Sequence, residues 1–383
     1  MKKVRWGILG AARVNERLLP AIANSPMGEL VAIGSRRENA AAACIEKYQP
    51  TLKDQVQTFN SLDEVIHHPN IDAIYIPLAN EEHTEPALKA IKNKKHVLIE
   101  KPIALHANEV EEIQKAANQN HVKVMEGFMY VFHPQFDRIK EIINAGLLGE
   151  VQYVHSMFSF PIQPARFYRI DRSIENGGGA LWDIGPYAIH TIRQSFKQNP
   201  LSVIAKSHFN EHGADLTTSG IIDFGLNRRA QFDISFECVR RSQFEIFGTK
   251  GKLMCHTVWQ HENDEALLSL TTDLEGLKNE HIKKANHFEL EINHFNQCII
   301  NDSPPKLSLD DALWNTRVLE AIQTSIKGAL MKRSILFLVL ATVILAGTSF
   351  AQGVRNLPPR PALSGPVADF VTAIVNAINK QDK

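Results

Sequence analysis

VRWGILGAARVN, residues 4–15, opens with a short apolar run, turns at a glycine and leads toward the helical pattern LLPAIANSP. Gly10 suits a tight turn, and Ala12 is small enough for backbone to approach a pyrophosphate. Asn15 stands where the G-x-G-x-x-G pattern has its third glycine, so the motif alone does not separate a dinucleotide turn from an ordinary strand–helix turn. Its surroundings decide. ELVAIGS, AIYIPL, HVLIE and VKVMEG read as buried strands, and ENAAAACIEKY, EPALKAIKNKK and ANEVEEIQKAANQN as helices between them. Continuous apolar strands alternating with amphipathic helices predict a doubly wound parallel sheet, an α/β Rossmann domain over residues 1–125.

Ligands bind such a sheet beyond the carboxyl ends of its strands. Gly10, Ala12 and Arg13 are the candidate cofactor residues of the first turn. The second strand ends in Gly34, Ser35, Arg36 and Arg37 with no acid to hold the ribose hydroxyls of NAD. A hydroxyl and guanidinium groups suit a 2′-phosphate, so Ser35 and Arg36 point to NADP, with NAD as the alternative; Arg37 reads as a solvated turn residue. Later strand ends bring Pro77, Asn80, His83, Glu100, Lys101 and Pro102 to the same edge. Pro102 biases Lys101 toward extended backbone. A lysine held in a cleft, its pKa drawn down from about 10.4, can polarise the oxygen of a carbon being oxidised or reduced.

These residues resemble one family closely. HVLIEKPIA carries the E-K-P tripeptide of the Gfo/Idh/MocA oxidoreductases, and the likeness extends through SRRENAAA, MEGFMYVFHPQ, GGGALWDIGPYAIH and ELEINHFNQCI, from about Val4 to about Lys327. The resemblance implies that Lys101 is the catalytic lysine, that Glu100 supports it, and that Asp183 and Tyr187 take the acidic and tyrosine positions of the glucose–fructose oxidoreductase and dihydrodiol dehydrogenase branch. Val131 stands where relatives often carry arginine, which puts a contact there in doubt. The implied mechanism has Tyr187 moving the proton, Lys101 supplying a cation at the same oxygen, and Asp183 orienting the pair.

After Gly127 the rhythm changes. GEVQYVHSMFSF, LSVIAKSHF, LTTSGIIDFG, RAQFDISFEC, SQFEIFGTKGKLMC and ALLSLTTD predict a large, mostly antiparallel open sheet in an α+β substrate domain, residues 126–330. The family uses such a sheet between subunits, so a homo-oligomer is implied. ENGGGALWDIGPYAIHTIR lies between the first two strands, and on one helix Asp183, Tyr187 and His190 share a face. Alternatively, Pro186 starts the helix and leaves Asp183 in the preceding turn. Arg166, Tyr168 and His190 are candidates for substrate hydroxyls, with surface or capping roles as the alternative.

Lysine plus arginine, at 42, equals aspartate plus glutamate, at 42, which argues against a dedicated nucleic-acid binder. The four cysteines form no C-x-x-C, so no metal site or disulfide framework is expected, and reduced thiols fit the cytoplasm. Residues 331–383 differ in kind. MKRSILFLVLATVILAGTSFAQ has the basic, apolar and small-residue regions of a secretory signal peptide, and a linker and an amphipathic stretch follow it. The segment reads as the start of a second, exported protein; a membrane anchor over 331–351 is the alternative. The function that follows is an NADP-dependent oxidoreductase acting on a sugar, polyol or cyclic diol, against a non-catalytic dinucleotide sensor of the same fold.

Overall fold

The computed structural model describes residues 2–259 and 266–328. The signal-peptide-like segment and all that follows it lie outside the described residues. Among the described residues no helix is long and apolar enough to cross a membrane.

The first sheet is built from β1 (Val4–Leu9), β2 (Gly28–Gly34), β3 (Gln57–Phe59), β4 (Ala73–Ile76), β5 (His96–Glu100) and β6 (Val124–Gly127). They run parallel in the order β3-β2-β1-β4-β5-β6, the doubly wound arrangement, with a switch point between β1 and β4. Helices α1 (Asn15–Asn24), α2 (Ala40–Tyr48), α3 (Leu62–Ile66), α4 (Thr84–Lys92) and α5 (Ala107–Asn120) make the crossovers. Ile8, Ile74, Tyr75, Leu98 and Ile99 are wholly buried, as strands covered on both faces require. Strand β3 and helix α3 were not expected: β3 is a three-residue edge strand with two exposed side chains, too short to carry a pattern.

After α6 (Pro134–Asn144), the second sheet begins with β7 (Val151–Ser159). Short helix α7 (Ala180–Asp183) and helix α8 (Gly185–Phe196) follow. The remaining strands are β8 (Ser202–Phe209), β9 (Asp215–Gly225), β10 (Arg228–Ser235), β11 (Arg241–Gly248), β12 (Gly251–Cys255), β13 (Ala266–Thr272) and β14 (Gly276–Ile282). Their order is β14-β13-β12-β11-β7-β10-β9-β8, and β7 with β10 is the one parallel pair in an otherwise antiparallel sheet. Helix α8 covers one face. On the other, Ile204 and Ile221 pair across β8 and β9 and are 74% and 54% exposed.

Two helices bind the halves together. Helix α9 (His287–Ile300) returns to the first sheet, where the Trp6 indole donates to Asn296 Oδ1 at 2.9 Å and packs on Phe295 with ring centres 5.8 Å apart. The final helix, residues 309–328, reaches both halves: Arg317 pairs with Glu111 of α5 at 2.7 Å, and Ser325 Oγ accepts from the Ala205 amide of β8 at 3.0 Å.

Candidate active site

The turn after β1 is fixed by its glycine. Gly10 has φ +124°, a conformation that side-chain-bearing residues rarely adopt, and a Cβ there would meet Leu78 Cδ2 at 3.0 Å. Asn15 explains the departure from the glycine pattern. Buried at the start of α1, its Nδ2 donates to the Gly10 carbonyl at 2.9 Å and to Cys44 Sγ at 3.3 Å, tying the turn to the helix through a side chain.

The corner after β2 is basic. Ser35 is buried and its Oγ accepts from the Arg37 amide at 3.2 Å. Arg36 pairs with Glu82 at 2.5 Å, and Arg37 reaches back to donate to the Ala11 carbonyl at 2.7 Å. Arg37 is exposed, as expected of a turn residue, and also bonds the glycine turn. A hydroxyl, two guanidinium groups and an open glycine cradle fit a dinucleotide that carries a 2′-phosphate.

Both corners open into one cleft of about 890 Å³ along the carboxyl ends of β1, β2, β4 and β5. At its far end β5 delivers Glu100 and Lys101. The Glu100 carboxylate accepts a short bond from the Tyr75 hydroxyl, and the Lys101–Pro102 bond is cis. Lys101 Nζ donates to the Asp183 carbonyl at 2.7 Å and to Asp183 Oδ1 at 3.2 Å. Burial pulls the Lys101 ammonium down to about 7, with the Arg169 charge adding to the fall. Arg169 also bonds Asp183 Oδ1, and Arg166 Nη2 lies 3.8 Å from Oδ2.

Tyr187 stands over the lysine, its ring centre 5.0 Å from Nζ, and its hydroxyl donates to Met129 Sδ at 3.6 Å. Burial, reinforced by Glu100, holds its phenol well above the ordinary value. Asp183 therefore grips Lys101 directly, while Tyr187 meets the lysine through its ring.

Gly10, Ala12, Arg13, Ser35, Arg36, Pro77, Asn80, Glu100, Lys101, Arg166, Tyr168, Asp183 and Tyr187 all line the cleft. Three expected residues do not: Pro102, His83 and His190 are buried outside its lining. His83 is buried beneath the loops, with Nδ1 2.8 Å from the Pro102 carbonyl and Nε2 3.1 Å from the Leu78 carbonyl, so it pins the strand-end loops together instead of facing a cofactor. His190 is wholly buried, with Nε2 2.7 Å from Asp311 Oδ2 and Nδ1 on the Tyr130 hydroxyl; it is a core histidine, not a substrate contact. Tyr187 and His190 both lie on α8, which is buried almost all round, so His190 falls in the core; Asp183 ends α7 and is separated from them by a break at Ile184, with Pro186 in the first turn of α8. Val131 is buried in the core. Sequence reasoning passed over Arg169 and Arg172, which line the cleft just beyond Arg166 and Tyr168 in PARFYRIDR.

Residues 4–128 match the oxidoreductase family with an NAD-binding Rossmann fold, and residues 136–254 match the GFO/IDH/MocA C-terminal domain. The uncharacterized oxidoreductase ORF334 of Rhizobium meliloti is 31% identical over 85% of this chain and 97% of its own. A trans-1,2-dihydrobenzene-1,2-diol dehydrogenase of Xenopus laevis is 30% identical over 64% of this chain and 73% of its own. A 3-ketoreductase from Actinomadura kijaniata, solved with NADP and TDP-benzene, shares the fold with a TM-score of 0.77 at 23% identity, covering 85% of this chain and 98% of its own. None of these relatives lends support to a non-catalytic sensor. Glycine turn, basic corner, E-K-P lysine and open sheet agree with both matched domains: the chain belongs to the Gfo/Idh/MocA oxidoreductase family.

Proposed function

We propose that this protein is an NADP-dependent oxidoreductase acting on a CH–OH or C=O carbon of a sugar, polyol or cyclic diol. The observation that carries this reading is the meeting of Lys101, Asp183 and Tyr187 in the same cleft as the Gly10 turn and the Ser35–Arg37 corner. When bound, the cofactor would supply the hydride as NADPH or accept it as NADP. Gly10, Ala12 and Arg13 would receive the pyrophosphate; Ser35 and Arg36, joined by Arg37, would receive the 2′-phosphate; Pro77, Asn80 and Glu100 would flank the nicotinamide end.

Lys101 holds the substrate oxygen and stabilises negative charge there. Tyr187 exchanges the proton at that oxygen. With its phenol held well above the ordinary value, the hydroxyl stays protonated at working pH and is ready to donate during reduction. Asp183 fixes the direction of the Lys101 side chain. Arg166 and Tyr168 hold the substrate. A spectrophotometric screen of sugars, inositols and dihydrodiols with NADP and NADPH tests the reading: a substrate turned over with NADP in preference to NAD supports it, and absence of both binding and turnover with NADP overturns it.

The open face of the second sheet serves a homo-oligomer. The exposed pair Ile204 and Ile221 supports this, since neighbouring apolar residues on an uncovered sheet favour a partner. Ile221→Lys should then lower the mass measured by light scattering. Four cysteines, all thiols, support a reducing cytoplasmic setting.

A further inference from the structure

The substrate end of the cleft carries more positive charge than its own side chains balance. Lys101, Arg169 and Arg166 all converge on the single carboxylate of Asp183. Glu100, which accepts from the Tyr75 hydroxyl, adds a second carboxylate, and three cations still face two carboxylates. The surplus registers on a neighbouring group. Burial pushes the Tyr168 phenol up, yet Arg169, Arg166 and Arg13 together hold it below its ordinary value.

Arg166 is the least committed of the three cations. Its nearest carboxylate oxygen is 3.8 Å away, beyond a hydrogen bond, and its guanidinium rests on the Phe160 ring 4.9 Å from the ring centre. Its Nε is buried with no hydrogen-bond partner among the described residues, and so is that of Arg169. Both side chains are only partly buried, 22% and 26% exposed, but a guanidinium keeps its proton, so it cannot shed its charge as a lysine can. Leaving such a donor unpaired is costly, and an anion that accepts from it removes the cost.

We infer that the substrate carries an anionic group, a carboxylate or a phosphate, close to the carbon that gains or loses hydride, and that Arg166 receives it. Proximity follows from the shared partner: Lys101 and Arg166 approach the same carboxylate, so an anion on Arg166 lies near the oxygen held by Lys101. Phe160 sets the plane of the guanidinium, which suits paired hydrogen bonds to two oxygens of one anion. The inference rests on the oxidoreductase reading and narrows it to sugar acids and phosphorylated sugars.

The test uses the full chain with NADP at constant ionic strength and three matched ligands: glucose, glucuronate and glucose 6-phosphate. Binding of each to the protein–NADP complex is measured by calorimetry, and kcat/KM wherever turnover occurs. The anionic ligands should exceed glucose by roughly tenfold to a hundredfold in affinity or kcat/KM. Arg166→Gln should bring that ratio close to one, and Arg166→Lys should restore part of it. Preference for glucuronate alone identifies a carboxylate, and for glucose 6-phosphate alone a phosphate. A wild type that treats glucose and both anions alike, or a ratio that survives Arg166→Gln, overturns the inference. Because binding is read separately from turnover, a protein that binds NADP and selects anions without oxidising any of them would uphold the anion site while counting against the catalytic reading.

Discussion

Lys101 and Asp183 hold each other across the cleft, the lysine from the end of β5 in the first sheet and the aspartate from the end of α7 beside the second, with Nζ 2.7 Å from the Asp183 carbonyl. In the proposed mechanism this pair directs the ammonium to the substrate oxygen. Lys101→Met should lower kcat by roughly a hundredfold to ten-thousandfold while leaving NADP affinity within a few fold. Turnover within tenfold of wild type would remove Lys101 from the chemistry. Tyr187→Phe should cut turnover on a similar scale, since it deletes the proton exchanged at the same oxygen.

The pH profile follows from the lysine. Burial, with Arg169 next, depresses its pKa to about 7, so the ammonium is present below that pH and lost above it. Reduction, which needs the cation, should decline in kcat/KM as pH rises through about 7. Arg169→Gln removes the largest neighbouring cation and should move the decline to higher pH. An unmoved midpoint would assign the titration to another group.

The proposed reading places cofactor choice in the corner after β2. Arg36→Ala should weaken NADP binding by roughly tenfold or more and NAD binding much less, because a charge-assisted bond to the 2′-phosphate exists for one cofactor only. Equal losses, or a wild type that prefers NAD, would sink the assignment.

Asp215 should contribute to how stability depends on pH, beside Glu126, which burial pushes up to about 8. The Asp215 carboxylate accepts from the Leu181 amide at 2.9 Å and from Thr218 at 2.6 Å, at the start of α7, and burial pushes it up to about 7. A carboxyl whose folded pKa is raised stabilises the fold fully below about pH 4 and loses that contribution as pH climbs through about 7. Asp215→Asn keeps an acceptor for Leu181 but cannot ionise. Urea unfolding at low and high pH should show the wild type losing on the order of 2 kcal/mol more than the variant across this window. Parallel losses would exclude Asp215 as the source.

The enzyme should need nothing past its final helix. Leu319, Ile322 and Ile326 bury that helix in the core, and a Cβ added at Gly328 would touch nothing among the described residues. A chain shortened to end at Gly328 should fold, bind NADP and keep full turnover. Insolubility or inactivity of that form, beside an active full chain, would join residues 331–383 to the enzyme.

What the sequence disclosed depended on how completely a segment is buried. AIYI and the VLI centre of HVLIE are covered on both faces and show as apolar runs, so these strands could be read directly. β3, QTF, and β14, GLKNEHI, are sheet edges with mostly exposed side chains, and nothing in their composition sets them apart from loops. E-K-P was legible because it is contiguous. Arg169 was not, since its importance lies in a partner fourteen residues away that only the fold brings to it. His190 misled for a related reason: α8 is buried almost all round, so polar residues at helical spacing marked neither a wet face nor a site.

The return of α9 to β1 and α1 has a consequence for biosynthesis. Trp6, Leu18 and Ile22 share their packing with Phe288, Ile292 and Phe295, so the nucleotide-binding lobe lacks part of its apolar cover until nearly three hundred residues have left the ribosome. A fragment ending after β6 would expose that seam to water. The lobe is therefore not a detachable cassette: grafting residues 4–127 onto another catalytic partner would require carrying α9 along or repainting the surface it covers.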